Sequence, residues 1–267
     1  MIFYLSGTGN SLWAAKYIAK ATGEKLINIL DKEKIQTQHS LDEDERIGFC
    51  FPVHGWRPPM ALRKFISKLS FNETTPHYCF ALCTAGDTIG ETIDILKSDL
   101  ASKNIHLDSA FSLIMPESYV GLPFMDVDTP ENEKQKKDKA AADLERFTQL
   151  IIEKQKNIEK LTIGRWLTIG RWPKINSRII GGFFAKHMIT DKPFHVTTEK
   201  CIGCGLCATS CPTGNIVLVN NIPQWRHDGS CLACFACYHH CPKHAIEYGR
   251  MTKHKGQYYF KSEEVKR

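Results

Sequence analysis

Residues 1–12, Met-Ile-Phe-Tyr-Leu-Ser-Gly-Thr-Gly-Asn-Ser-Leu, place a short apolar run directly before a loop of small polar residues. Positions 10–22 then carry apolar side chains at helical spacing, among them Leu12, Ala15 and Ile18. A loop between a parallel strand and a helix presents backbone N–H groups and the positive end of the helix dipole to an anion. The stretch therefore predicts the first strand, an anion-binding loop and the first helix of a parallel α/β sheet.

The alternation of strand and helix signals continues to residue 115. Helical periods recur at 59–69 and 88–102, each between two apolar runs. Strands separated by helices of this length form βαβ units with right-handed crossovers. We therefore predict a doubly wound, five-stranded parallel sheet with helices on both faces, and a last covering helix that starts at Thr129-Pro130. The predicted strands are Ile2–Leu5, Leu26–Ile29, Ile47–Phe51, Tyr78–Cys83 and Ala110–Met115.

Composition restricts the class of protein. The 267 residues are 42% hydrophobic and 24% charged, which is ordinary for a globular chain and argues against wholesale disorder. No uncharged apolar run approaches the roughly 18 residues that a membrane span needs, so we expect no transmembrane segment. The apolar start is too short for a signal peptide and has no basic region before it, which predicts a cytoplasmic protein.

Eight of the eleven cysteines lie between Cys201 and Cys241. The chain reads CIGCGLCATSCP from residue 201 and CLACFACYHHCP from residue 231, so the second run repeats the first thirty residues later. The spacing C-x2-C-x2-C-x3-C-P is the bacterial ferredoxin run for [4Fe–4S] clusters, in which the fourth cysteine ligates the other cluster. Structural zinc is the alternative, but zinc sites usually pair two CxxC motifs across a longer gap. We predict one cluster on Cys201, Cys204, Cys207 and Cys241, and a second on Cys231, Cys234, Cys237 and Cys211.

Two parts of the chain resemble known redox proteins. About residues 193–250 resemble a two-cluster bacterial ferredoxin, and Ser6–Ser11 resembles the FMN phosphate loop of flavodoxins. A dinucleotide-binding motif would need glycine in place of Leu12, and the Gly-Lys-Ser/Thr of a Walker loop is absent. The flavodoxin resemblance implies that an FMN phosphate is bound by Ser6, Gly7, Thr8, Gly9, Asn10 and Ser11.

The same resemblance implies two loops beside the flavin ring, at residues 51–59 and 83–90. Gly55 would let the backbone approach the ring, and Trp56 would either stack on it or pack in the core. A third loop at 115–119 offers Tyr119 as a further contact. The implied ring contacts of the first two loops are His54, Gly55, Trp56, Thr84, Ala85 and Gly86.

Taken whole, the chain resembles the family of fused flavodoxin–ferredoxin proteins. This predicts a flavodoxin-like FMN-binding domain at 1–160, a connector at 161–192, a two-cluster ferredoxin domain at 193–250 and a tail at 251–267. The connector contains the tandem hexapeptide Leu-Thr-Ile-Gly-Arg-Trp at 161–172 and is basic and aromatic. We expect it to pack across the first domain, and contact with a membrane surface or a partner is the alternative.

These cofactors predict electron transfer, because FMN exchanges one or two electrons and a [4Fe–4S] cluster exchanges one. The first hypothesis is a carrier that exchanges electrons with redox partner proteins. The alternative is a flavin-dependent reductase of a small molecule, with His54, Asp87, Glu117 and Tyr119 as candidate proton donors. A redox sensor is less favoured, since no output domain is visible. The formal charge of +6 does not predict a nucleic-acid partner, because two clusters and the FMN phosphate contribute about −2 each.

Overall fold

The computed structural model of the protein describes residues 1–31, 36–72, 75–158 and 166–261. The strands are β1 (Ile2–Tyr4), β2 (Leu26–Asn28), β3 (Gln38–His39), β4 (Ile47–Pro52), β5 (Ser70–Phe71), β6 (Cys79–Ala85), β7 (Ser109–Ile114), β8 (Phe194–Val196), β9 (Ile216–Val219), β10 (Ile222–Trp225) and β11 (Ile246–Tyr248). The α-helices are α1 (Asn10–Thr22), α2 (Met60–Ile66), α3 (Thr92–Ala101), α4 (Pro130–Ile152), α5 (Gly181–His187), α6 (Leu206–Thr209) and α7 (Ala236–His239). A π-helix at Ile175–Ile180 runs directly into α5.

A five-stranded parallel sheet forms the amino-terminal domain, in the order β2-β1-β4-β6-β7. All five predicted strands take part, which confirms the predicted α/β fold. The chain runs from β1 outward to β2 and then returns to β4 on the other side of β1. In such sheets, ligands bind beyond the carboxyl ends of the strands at this switch point. Here the switch point lies where β1 and β4 end.

Helices cover both faces of the sheet, as predicted. On one face, α1 and α4 bury Ile18 and Leu144 in a cluster that includes Phe80. On the other face, α2 and α3 contribute side chains to a second apolar cluster. Helix α4 begins where its capping signal predicts, because the Asn132 N–H donates to Thr129 Oγ1 at 3.3 Å.

The cysteine-rich end forms a small α+β unit, which is also confirmed. Strand β8 pairs antiparallel with β11, and β9 pairs antiparallel with β10 across a two-residue turn. The turn residues Asn220 and Asn221 have φ values of 51° and 63°. Asparagine tolerates this left-handed region, which the tight turns of hairpins require. The two short helices α6 and α7 occupy equivalent places in the two cysteine repeats.

The connector contains a helical segment, residues 175–187, that sequence periodicity did not predict. This connector helix comprises the π-helix and α5. Ser177 Oγ donates to Trp56 O at 2.9 Å and accepts from the Glu91 N–H at 2.8 Å, and Gly181 lies directly against Gly55 O. Because small residues make these contacts, no stripe of buried apolar side chains marks the helix in the sequence. Within the described ranges, no helix has the length and apolar character needed to cross a membrane.

The tandem hexapeptide is described only in part, because residues 161–165 of the first copy lie outside the described residues. Trp166, the last residue of that copy, packs edge-on against Phe111 with ring centroids 6.1 Å apart. In the second copy, Thr168 O accepts from the Ile89 N–H at 2.9 Å. The described part of the repeat therefore packs against the amino-terminal domain.

Candidate cofactor sites

The loop Ser6–Ser11 joins β1 to α1 at the switch point of the sheet. Gly9 has a φ of 99°, a conformation that favours glycine, and its N–H donates to Ser6 Oγ at 3.2 Å. Within the described ranges, the N–H groups of Gly7, Thr8, Asn10 and Ser11 have no hydrogen-bond acceptor. Free N–H groups at the start of a helix fit an anionic phosphate. The loop therefore fits the phosphate of FMN without a basic side chain of its own.

Buried side chains of this loop connect it to neighbouring strand ends. Ser11 Oγ lies 2.8 Å from Thr84 Oγ1, at the end of β6. The Asn10 amide nitrogen is 3.4 Å from Pro116 O, beyond the end of β7. Thr84, one of the implied ring contacts, is almost fully buried and contributes to the floor of this site. These contacts bring the carboxyl ends of β1, β6 and β7 together at the loop Ser6–Ser11.

The ring-side loop after β4 folds into a tight turn. The N–H of His54 donates to Arg57 O at 3.0 Å, and the Arg57 N–H returns a bond to His54 O at 3.2 Å. Between them, Gly55 and Trp56 have φ values of 55° and 57°. The Trp56 indole N–H donates to Thr88 Oγ1 at 2.9 Å. The turn thus brings the 51–59 and 83–90 loops together through the Trp56–Thr88 bond.

The connector helix covers this turn. A Cβ placed on Gly55 would lie 2.8 Å from Phe184 Cδ1, so only glycine fits beneath that ring. Burial lowers the pKa of His54 to about 4, which leaves its imidazole neutral at pH 7. Sequence reasoning did not find Phe184, because its role depends on a packing contact between residues far apart in the chain.

Ala85, the last residue of β6, is buried, and Gly86 directly after it faces a carboxylate. A Cβ on Gly86 would lie 2.1 Å from Glu117 Oε2. Glu117 Oε1 accepts the N–H groups of Ser118 and Tyr119, each at 2.9 Å. Burial nevertheless raises the pKa of Glu117, because desolvation of the charged form outweighs these two bonds. The sequence offered Glu117 only as one of four candidate proton donors.

Tyr119 lies where three parts of the chain meet. Its ring is edge-on to Phe184 of the connector helix, with centroids 5.2 Å apart, and edge-on to Phe235 of the cysteine-rich domain at 5.3 Å. Its hydroxyl is buried and has no hydrogen-bond partner within the described ranges. Aromatic packing therefore accounts for its position.

The eight clustered cysteines line two separate cavities. A first cavity, the outer cage, is lined by Cys201, Cys204, Cys207 and Cys241. A second cavity, the inner cage, is lined by Cys211, Cys231, Cys234 and Cys237. The structure thus brings Cys241 of the second repeat to three cysteines of the first, and Cys211 of the first repeat to three cysteines of the second.

The donor set fits iron–sulfur clusters better than single metal ions. Within the described ranges, no group of three or more His, Cys, Asp or Glu side chains converges closely enough to hold one ion. Zinc would require thiolates about 2.3 Å from a common centre. The Asn215 N–H donates to Cys211 Sγ at 3.3 Å, and thirty residues later the Ala245 N–H donates to Cys241 Sγ at 3.2 Å. Such N–H···S bonds are a determinant of cluster potential.

The inner cage contacts the phosphate loop directly. A Cβ on Gly7 would lie 2.6 Å from Cys234 Cβ and 3.2 Å from Cys234 Sγ. Nearby, His239 is buried and its Nε2 lies 2.8 Å from Ser118 O, which joins α7 to the loop after β7. The two domains therefore pack together at the two candidate sites themselves.

Comparison with known proteins agrees with this arrangement. A family model described as a flavodoxin domain matches residues 1–110, and one described as a 4Fe-4S dicluster domain matches residues 200–246. The chain is a fused flavodoxin–ferredoxin protein. A flavodoxin domain implies FMN, and a 4Fe-4S dicluster domain implies iron–sulfur clusters. The fused protein is therefore, in general terms, an electron-transfer flavo-iron–sulfur protein.

One solved structure and the curated proteins complete the comparison. The fused protein is similar to a proposed flavoprotein from Bacteroides uniformis, known from its crystal structure, with 20% identity and a TM-score of 0.34. The alignment covers 42% of this chain and 88% of that chain. No curated protein matches the chain.

Proposed function

We propose that the protein passes electrons between one FMN, two [4Fe–4S] clusters and external redox partner proteins. FMN is bound by the loop Ser6–Ser11, with ring contacts from the 51–59 and 83–90 loops. The inner and outer cages each hold one cluster. In this proposal, residues 1–160 form the FMN domain, 161–192 the connector and 193–250 the two-cluster domain, followed by the carboxyl-terminal segment.

One observation carries the proposal, namely the contact between Gly7 of the phosphate loop and Cys234 of the inner cage. Because these residues are in van der Waals contact, transfer between the two sites needs no hinge motion and no second subunit. When bound, FMN supplies one- and two-electron steps and each cluster a one-electron step. The chain contributes the short separation and the N–H groups that face the sulfurs.

The outer cage provides the exit toward a partner. Cys204 is exposed, and the neighbouring Ile202 retains 60% of its accessible surface. Cys207 and Cys241 of the outer cage are buried, but the inner cage has no exposed cysteine, since Cys237 is buried and the other three are partly buried. This difference in exposure supports a path from FMN through the inner cage to the outer cage and on to a redox partner at the surface.

Anaerobic purification followed by photoreduction tests the proposal. We expect about eight irons and one FMN per chain, and cluster EPR signals that grow as the photoreduced flavin is reoxidised. Gly7→Ala should slow this transfer, because the added Cβ has no room beside Cys234. Gly182→Ala is the matched control, since a Cβ there meets nothing within 4 Å. The proposal is refuted if the protein binds zinc in place of iron. It is also refuted if the clusters of fully loaded protein give no EPR signal after photoreduction although their potentials permit transfer.

The second candidate, a flavin-dependent reductase of a small molecule, is favoured by one observation. Glu117 is a partly buried carboxyl group beside Gly86, and desolvation raises its pKa, so it is suited to holding a proton near the ring-side loops. Steady-state turnover with a small acceptor, lost in Glu117→Gln while FMN and iron contents stay unchanged, would favour the reductase. Reaction with redox proteins alone would favour the carrier.

A further inference from the structure

The connector helix presents a large apolar face to solvent. Trp172, Ile179 and Phe183 retain 58%, 68% and 61% of their accessible surface. Spacings of four residues connect Ile175, Ile179 and Phe183 along one side of the helix. Clustered apolar side chains of this size mark an interaction surface, whereas single exposed ones do not. The outer face is defined as Trp172, Ile175, Ile179, Ile180 and Phe183.

The other side of the same helix packs against the amino-terminal domain. Ser177 bonds to Trp56 and Glu91, and Phe184 covers Gly55. The helix is therefore anchored to the amino-terminal domain through its inner side. The outer face consequently cannot turn inward without the loss of these contacts.

The segment that carries the outer face supplies cations and no carboxylates of its own, although Glu91 and Asp94 of the amino-terminal domain lie near Arg178. Residues 166–190 contain no Asp or Glu, while Arg171, Lys174, Arg178 and Lys186 lie within the segment. Arg178 forms an ion pair with Glu91 at 2.7 Å, and the other three cations are exposed. The segment thus combines large apolar side chains with an excess of positive charge. This combination is typical of helices that lie in the interface of an anionic membrane.

We propose that the outer face docks on the surface of an anionic phospholipid bilayer. The apolar side chains enter the boundary between headgroups and acyl chains, and the flanking cations contact the lipid phosphates. The helix lies in the plane of the membrane and does not span it. Because Phe184 on its inner side covers Gly55, docking holds the 51–59 loop toward the bilayer.

Two other occupants fit the charges and the chemistry less well. A second copy of this chain, related by a two-fold axis, would bring the same cations against one another. A transient protein interface is only about as apolar as the rest of a protein surface, whereas the outer face is defined by five exposed side chains that are all large and apolar.

Vesicle flotation of the holoprotein tests the proposal. We expect flotation with vesicles that contain phosphatidylglycerol, weaker flotation with phosphatidylcholine alone, and release at high salt. The double change Ile179→Glu and Phe183→Glu should weaken partition by at least about tenfold. Phe124→Glu, at a residue that is 83% exposed on a different loop, is the matched control and should float like the wild type.

Unchanged FMN and iron contents in both variants confirm that they fold. The proposal is overturned if the holoprotein does not float with anionic vesicles, or if the double variant floats as well as the wild type. It is also overturned if sedimentation shows a dimer that the double variant dissociates, because the face would then bind a second copy.

Discussion

At the residue scale, the two cysteine repeats reach the same backbone conformation with different side chains. Gly203, Gly205 and Gly214 have φ values of 66°, 77° and 62° in the first repeat. The equivalent positions thirty residues later have φ values of 49°, 58° and 46° and are occupied by Ala233, Phe235 and His244. A side chain in the left-handed region costs about 1–2 kcal/mol, so the second repeat carries strain that glycine avoids in the first.

His244→Gly should relieve part of this strain. His244 is exposed; its ring is edge-on to Tyr238 with centroids 6.3 Å apart, and its N–H donates to Cys241 O at 3.2 Å, a backbone bond that glycine keeps. After allowance for the greater freedom of glycine in the unfolded chain, we expect a gain of about 0.5–1 kcal/mol, seen as a higher apparent Tm of the holoprotein. Gly214→Ala in the first repeat is the reciprocal change and should lower the Tm. An unchanged or lower Tm for His244→Gly would contradict the strain argument.

Glu117 should make stability depend on pH. Burial raises its pKa above the ordinary value of 4.5, so the folded state binds its proton more tightly than the unfolded state. Its contribution to stability is therefore fully present below about pH 4.5 and is lost as the pH rises through the folded pKa. Glu117→Gln keeps an oxygen for the N–H groups of Ser118 and Tyr119 but does not ionise.

We expect Glu117→Gln to gain apparent Tm relative to the wild type as the pH rises from 5 to 8. The measurement is the difference between the two proteins at each pH, which cancels the titration of other groups. Gln135→Asn, at an exposed position in α4, removes no ionisable group and should show no such trend. A constant difference between Glu117→Gln and the wild type would show that Glu117 ionises normally.

At the element scale, the segment at residues 255–260, which we name the strap, ties the two domains together. Lys255 donates to Val120 O at 3.0 Å and to Met125 O at 2.6 Å. Gln257 donates to Tyr238 O at 2.6 Å in α7. Phe260 then reaches the phosphate loop, where its N–H donates to Thr8 O at 2.7 Å. The strap therefore connects the segment that carries the cysteines with the loop proposed to hold FMN.

Tyr258→Phe should weaken FMN binding without affecting iron content. The Tyr258 hydroxyl donates to Asn10 Oδ1 at 2.6 Å and so positions the first residue of α1. Loss of about 0.5–1.5 kcal/mol from this buried bond corresponds to a Kd raised about two- to tenfold, measured by flavin fluorescence titration. Tyr259→Phe is the matched control, because Tyr259 stacks on His240 at 4.2 Å, on the side of α7. Equal Kd values for the two variants would show that the Tyr258 bond of the strap does not contribute to FMN affinity.

At the scale of the whole molecule, occupancy of the inner cage and of the FMN site should be coupled. The cage packs against Gly7, and the strap and His239 reach across the same boundary. Removal of iron by an anaerobic chelator should loosen the inner cage and raise the Kd for FMN at least about fivefold. Flavin release is read by fluorescence, and reconstitution of the clusters should reverse it. A Kd that stays constant after iron removal would show that the two sites bind independently.

Much of the fold and part of the candidate sites follow from local patterns in the sequence. Apolar runs alternating with helical periods predicted the five-stranded sheet, because strand and helix periodicities are properties of neighbouring residues. The duplicated cysteine spacing predicted the crosswise sets that line the two cages. Thr129 and Pro130 predicted the start of α4, since a cap needs only the residues of one turn.

Only the tertiary structure decided how these parts meet. The contact of Gly7 with Cys234 joins residues 227 positions apart, and no local period records it. The connector helix packs through Ser177 and Gly181, so it leaves no stripe of buried side chains in the sequence. The amino-acid sequence determined which elements form and which chemistry each carries, because those depend on neighbours along the chain. Their arrangement as one connected path depends on packing between distant segments, which local pattern does not encode.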